Sequence, residues 1–190
     1  MRKATVGARE RLQQAALELF AERGYDDTKA VDIATRAGVT ERTFFRHFPD
    51  KREVLFDGQE VLSSMLTDAI ASAPQNADAL TVLFHAFSSV VAMLEANRPF
   101  SKPRQNVISQ TPALQERELT KHELLARVLA QALVERGVDD LSATLAAKVG
   151  MAAFVHATLL WLENPVPTLG KQLKLARGAL NDLLEDRSKS

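Results

Sequence analysis

The tightest constraint in this 190-residue chain is the tetrapeptide Ala37-Gly38-Val39-Thr40, set inside the stretch from Thr28 to Phe56. Val31, Ile33, Ala34 and Ala37 place apolar groups on one side of a short helix. Gly38 follows at once, where a residue without Cβ can take the left-handed turn that ends a helix. Val39 anchors that turn, and Thr40 is a good N-cap for a second helix. Phe44 and Phe48 are i,i+4 neighbours aimed, with Thr43, at a core. The other side of this helix shows Glu41, Arg42, Phe45 and Arg46. Pro49 stops it, because the residue before proline disfavours helix. Two short helices, a glycine turn and a cationic outer face predict a helix-turn-helix.

Charge on that face points to DNA. From Arg36 to Arg52 there are five basic residues, Arg36, Arg42, Arg46, Lys51 and Arg52, against two acids, Glu41 and Asp50. A helix fits the major groove, and its first residues reach base edges. Arg42 could pair with a guanine, and Glu41 could accept from a cytosine amino group. The alternative is a solvated charged helix in an ordinary bundle. The whole chain carries 24 basic and 24 acidic residues, so attraction to nucleic acid must come from local clustering. A second cluster, Arg2, Lys3, Arg9 and Arg11 with only Glu10, lies at the N-terminus. Residues 1–7 read either as a disordered terminus or as an arm reaching a minor groove or phosphate.

Apolar periodicity predicts further helices. Leu12, Ala15, Ala16, Leu19 and Phe20 define one over residues 8–23, ended by Gly24. A long helix is expected from Asp50 or Lys51 to about Ser72, capped by Asp50 with Glu53, with Gly58 either a soft point in it or, more readily, a tolerated interior glycine. Another is expected over 78–97. Pro99, Pro103 and Pro112 then break the pattern, and Arg98, Lys102 and Arg104 read as a basic lip for an anion or as a solvated loop. Helices follow over 112–136, 140–163 and 168–186. Between Val149 and Leu162 only His156 and Thr158 have polar side chains, so that helix must be covered on several sides. Leu169, Leu173, Ala176, Leu180 and Leu183 repeat as a coiled-coil-like seam. Two such helices per chain predict a four-helix interface between copies; the alternative is that both fill one monomeric core.

Other function classes fit poorly. The chain has no cysteine, hence no disulfide framework or thiolate nucleophile. His47, His85, His122 and His156 fall on different elements without a partner pattern, and there is no glycine-rich phosphate loop. No enzyme, metal site or cofactor is expected. A helical adaptor would keep the C-terminal seam but would not need Arg42, Arg46 and Lys51. The N-terminus shows no signal peptide, and no run reaches the ~18 apolar residues of a membrane span. The expectation is a soluble cytoplasmic protein with no membrane partner.

Gly24, Tyr25, Thr28, Asp32, Ile33, Ala34, Ala37, Gly38, Val39, Thr40, Thr43, Phe44, His47, Phe48, Lys51 and Leu55 stand at fixed spacing. In this the first third of the chain resembles the tetracycline-repressor (TetR) family of bacterial regulators. The resemblance implies an all-α chain. A three-helix DNA-binding head over 1–50 precedes a helical effector-binding and dimerisation body over 51–190. It implies a homodimer that reads a pseudo-palindromic operator and releases it when a small-molecule effector binds. Expected phosphate contacts are Lys29, Thr40, His47 (which could equally be a packing residue) and Lys51. Expected base contacts, or their margin, are Glu41, Arg42, Thr43 and Arg46, with Phe45 also among the expected DNA-binding residues. Candidate pocket lining is Leu62, Met65, Leu66, Phe84, Phe87, Met93, Phe100, Phe154 and Trp161, each of which also reads, and more readily, as plain core. Phe45 stands where the family usually has Tyr, Val31 where Arg is common and Lys29 where Ser or Thr is usual. Glu41 and Arg42 replace smaller residues. Such departures are expected to change the operator sequence and leave the mode of binding intact.

Overall fold

The computed structural model describes residues 7–185. Nearly all of the predicted N-terminal arm, with Arg2 and Lys3, lies outside those residues. The described chain is all-α: α1 (Ala8–Arg23), α2 (Ala30–Arg36), α3 (Glu41–His47), a 3-10 turn (Glu53–Leu55), α4 (Gln59–Ser72), α5 (Ala79–Ser89), α6 (Val91–Ala96), α7 (Arg98–Ser109), α8 (Pro112–Glu135), α9 (Asp140–Glu163) and α10 (Leu169–Glu185).

The chain divides into two compact units, residues 1–58 with 99–118, and residues 59–98 with 119–190. The division expected after residue 50 therefore falls later, and the first unit gains a second segment. The cause is burial. Val54, Leu55 and Phe56 pack with Leu12, Phe20 and Phe44, and Val107, Ile108 and Leu114 join the same core.

Two predicted helices and one predicted break differ from what is observed. The helix expected from residue 50 starts only at Gln59. Asp50 does accept backbone N–H bonds, from Arg52 at 2.7 Å and Glu53 at 3.1 Å, but these cap the 3-10 turn. Gly58 then takes φ +83°, a conformation that side chains with Cβ resist, so it is a break and not a tolerated interior glycine. The helix expected over 78–97 is interrupted at Val90. Conversely, the proline-rich stretch is helical. Pro99 sits in the first turn of α7, where its missing N–H has no partner to lose, and Pro103 is accommodated inside. Burial of Val107 and Ile108 offsets that lost hydrogen bond.

In the second unit α9 packs against both α5 and α10, and α4 against α5. Gly150 makes the α5 approach possible: a Cβ there would meet Leu83 Cδ1 at 3.1 Å. Arg136 donates to the carbonyls of Ile70 and Pro74 at 2.7 and 2.9 Å, closing the end of α4. Residues 79–96 and α9 are long and apolar enough, by length and composition, to cross a membrane. Their alanines and sparse charges raise the mean hydropathy without an unbroken apolar run. Both contribute side chains to the body core.

Candidate nucleic-acid interface

The helix-turn-helix is set by a small, dense core. Ile33, Ala34, Phe44 and Phe48 are buried against Leu12, Ala16, Leu19 and Phe20 of α1. Gly38 takes φ +67°, and the next residue's N–H reaches back to the Ala34 carbonyl at 3.0 Å. This is the six-to-one bond of a glycine-terminated helix. Thr40 caps α3 by accepting the Thr43 N–H at 3.2 Å, and their hydroxyls lie 3.0 Å apart. Thr28, the one buried polar side chain among the described residues, donates its hydroxyl to Gly24 O at 2.8 Å.

These contacts turn one face of α3 outward. Glu41, Arg42, Phe45 and Arg46 are all exposed, while Thr43 and His47 are half-buried at its edge. Helical spacing puts Phe45 within the exposed arc, one turn from both Glu41 and Arg42.

The structure sorts the basic cluster into two groups. Arg36 is held by Glu22 at 2.8 Å and Glu18 at 3.3 Å. Hydrogen bonds from Arg36 outweigh burial and keep the Glu22 carboxyl below the usual carboxylate range. Arg52 pairs with Asp50 at 2.9 Å. Burial would raise the Asp50 pKa, but the Arg52 side chain and two backbone N–H groups bring it below its ordinary value. Arg42, Arg46 and Lys29, by contrast, make no side-chain hydrogen bond or ion pair among the described residues, and all three are exposed. They form the cationic surface left for an anionic partner.

Lys51, expected to reach phosphate, is turned inward. Its ammonium donates to Tyr25 O at 2.7 Å, Thr28 O at 2.9 Å and Asp26 O at 3.3 Å, and lies 4.1 Å from the Tyr25 ring centroid. All three donors are thus engaged within the fold. Burial pushes the Tyr25 phenol up to about 12. His47 encloses its Nε2 without a partner, which fits a packing residue better than a phosphate donor.

Contacts that sequence reasoning missed steady the segment from Glu53 to Asp57. Arg104 donates to Leu55 O at 2.5 Å, pairs with Glu118 at 3.1 Å and lies over the Phe56 ring. Burial pulls this guanidinium below the ordinary arginine pKa, with Glu118 opposing the shift. Arg117 holds Glu53 at 2.6 Å, and Arg9 pairs with Asp57. Arg11 donates to Ala37 O at 3.1 Å. In the second unit Arg98 donates to Leu162 O at 2.8 Å beside the Trp161 ring. The basic lip imagined for Arg98, Lys102 and Arg104 is therefore not built, since both arginines bond backbone carbonyls. Nothing in the spacing signalled these pairings, and those of Arg98 and Arg104 depend on α7 being a helix.

The expected pocket residues do not all meet. Leu66, Phe84, Phe87, Phe154 and Trp161 are buried in the body core, with Leu62, Met65 and Met93 packed against it. Phe87 stacks on Phe154 at 4.6 Å and meets Phe84 edge-on at 5.8 Å. Phe100 packs instead in the core of the first unit, because α7 from Pro99 onward belongs there. A cleft of about 160 Å³ beside α8 and α9 is lined by Glu123, Arg127, Val134, Thr144 and Lys148, among others, and by none of the expected residues.

The body also exposes large apolar side chains in rows. Leu141, Leu145, Val149, Leu159 and Leu160 are exposed on α9, and Leu175 and Leu183 on α10. The seam anticipated on α10 is only partly outward. Leu169 and Leu173 are buried in the chain's own core, and Ala176 and Leu180 are half-buried.

Comparison with known proteins places the two segments separately. Residues 12–57 match the family described as bacterial regulatory proteins, tetR family, and residues 77–185 match the MftR C-terminal domain. MftR of Mycobacterium tuberculosis, named for transcriptional regulation of mycofactocin biosynthesis, is 30% identical over 175 residues, covering 87% of this chain and 85% of that protein. The crystal structure of Thermus thermophilus FadR, a TetR-family repressor in complex with lauroyl-CoA, is 27% identical with a TM-score of 0.58, covering 93% of each chain. SmeT of Stenotrophomonas maltophilia, in complex with triclosan, shares the fold at 18% identity and TM-score 0.62 over 90% of each chain.

Proposed function

This chain belongs to the TetR family of transcriptional regulators, and we propose that within it the protein is a homodimeric repressor reading a pseudo-palindromic operator. Its relatives are named as regulators of transcription, not as enzymes. The observation that carries the DNA reading is the outward face of α3, where Arg42 and Arg46 stay unpaired while Arg36, Lys51 and Arg52 are engaged within the fold. Arg42 and Glu41 read base edges, with Thr43 and Arg46 at the margin. Lys29 and Thr40 set the register on phosphates.

Dimerisation is supported by the apolar rows on α9 and α10. Polar water is a poor partner for seven exposed large apolar side chains on two adjacent helices. A second copy covers them in a four-helix arrangement. Two-fold symmetry then sets two α3 helices about one DNA turn apart, roughly 34–36 Å.

An effector is proposed to bind among the body's apolar side chains near Phe84, Phe87 and Phe154, and to lower operator affinity through α4. The lauroyl-CoA of the Thermus relative supports a ligand-responsive body. Coupling of this kind is about 1–3 kcal/mol. Acting on DNA implies a cytoplasmic protein. Selection of bound sequences from random duplex DNA tests the proposal. An inverted repeat with guanine at positions lost in Arg42→Ala supports it, and no enriched sequence at modest salt overturns it.

A further inference from the structure

Among the described residues, the first unit leaves only two large apolar side chains strongly exposed, Val31 at 43% and Phe45 at 52%. Both lie on the helix-turn-helix. Every other large apolar side chain of the α1–α3 core is covered, so their exposure is not a sign of a loosely packed unit. Phe45 is the more instructive. It sits in the outward arc of α3 with Glu41, Arg42 and Arg46, the residues proposed to reach the base edges. Its ring is packed edge-on against the fully buried Phe44, with centroids 5.2 Å apart and planes at 84°. That contact holds one side of the ring, and about half of the residue stays exposed.

A phenyl ring can neither donate to a phosphate nor accept from a base. The one apolar group that B-DNA presents in its major groove is the 5-methyl of thymine. We infer that Phe45 is a specificity-determining residue that packs against a thymine methyl in each half-site. Flanking arginines and Glu41 supply the polar contacts, and the ring supplies the discrimination for T over C at one position. This inference rests on the DNA reading above and adds the chemical group that is read.

The test uses the sequence enriched by the full-length protein from random duplex DNA. Each thymine is replaced in turn by deoxyuridine, which deletes the methyl and keeps every hydrogen-bonding group. Affinity is measured by fluorescence anisotropy. One thymine per half-site should weaken binding by about fourfold when replaced, the worth of one buried methyl-sized group. Phe45→Ala should bind the thymine and uracil versions of that position alike, and it should fold normally because the side chain is exposed. Phe45→Tyr separates a base contact from a phosphate contact. Tighter binding to all sequences alike would mean that the ring lies against the backbone, and would overturn the inference. Equal affinity for every uracil substitution, or unchanged methyl sensitivity in Phe45→Ala, would also overturn it while leaving the DNA reading intact. Failure of the wild-type protein to enrich any sequence would overturn both.

Discussion

The unit formed by residues 1–58 and 99–118 and the unit formed by residues 59–98 and 119–190 are finished to different degrees. The first buries nearly all of its large apolar groups and engages several of its cations, Lys51, Arg104 and Arg36 among them, on carbonyls and carboxylates. Arg42, Arg46 and Lys29 stay outward on the helix-turn-helix segment, beside Glu41 and the two exposed apolar groups Val31 and Phe45. The second has the larger core yet leaves twelve large apolar side chains exposed, seven of them on α9 and α10. The first unit covers its own core, and its outward cations suit the proposed DNA partner. The second is short of apolar cover, which the proposed second copy would supply.

The largest expected effect comes from attacking that difference. Leu145→Glu with Val149→Glu places two charges in the exposed row of α9. The substitutions touch no core, so the helical circular dichroism should stay unchanged. Sedimentation should show a single subunit, and operator affinity should fall by at least about 100-fold, because two linked heads become one. A dimer of wild-type affinity would show that α9 is not the interface. Next in size is Arg42→Ala, which should cost operator binding about 1–3 kcal/mol and relax the preference at one base pair, with no change in the urea midpoint.

Lys51→Met sharpens the other side of the comparison. Three carbonyls lose their donor, so the first unit should lose about 1–3 kcal/mol of stability. The salt dependence of operator binding should not change. A slope reduced by about one unit would instead return Lys51 to the phosphate contacts. The smallest effect is alkaline. Tyr25 is held neutral by burial, and its folded pKa of about 12 lies above the ordinary 10. Its contribution is full below pH 10 and is lost as pH rises through 12. Tyr25→Phe should remove that component of the alkaline melt and leave the rest.

Where local chemistry decides the structure, it was legible in the sequence. Gly38, Thr40, Phe44 and Phe48 specify the helix-turn-helix by turn geometry, capping and spacing, and the structure builds it from those contacts. The long helices over α8, α9 and α10 follow from apolar periodicity. What was hidden depends on tertiary partners. Prolines at 99 and 103 argued for a loop, but α7 forms because Val107 and Ile108 gain a core and Arg104 finds Leu55 O. Lys51 looked like a surface cation in a basic run; only the fold shows that three carbonyls converge on its ammonium. Gly58 looked tolerable in a helix, and its positive φ appears only once the 3-10 turn before it is packed. A one-dimensional pattern also cannot separate pocket wall from filled core, since both use the same aromatic residues, and it does not show that α7 carries Phe100 into the core of the first unit.

The most direct test is the mass of the complex formed on the selected operator, measured by native mass spectrometry or mass photometry. A pair of heads working together predicts two protein chains, or a multiple of two, on every intact inverted repeat, and loss of the stable complex when one half-site is scrambled. A single chain bound to one half-site, with the same affinity whether or not the other is present, would contradict it.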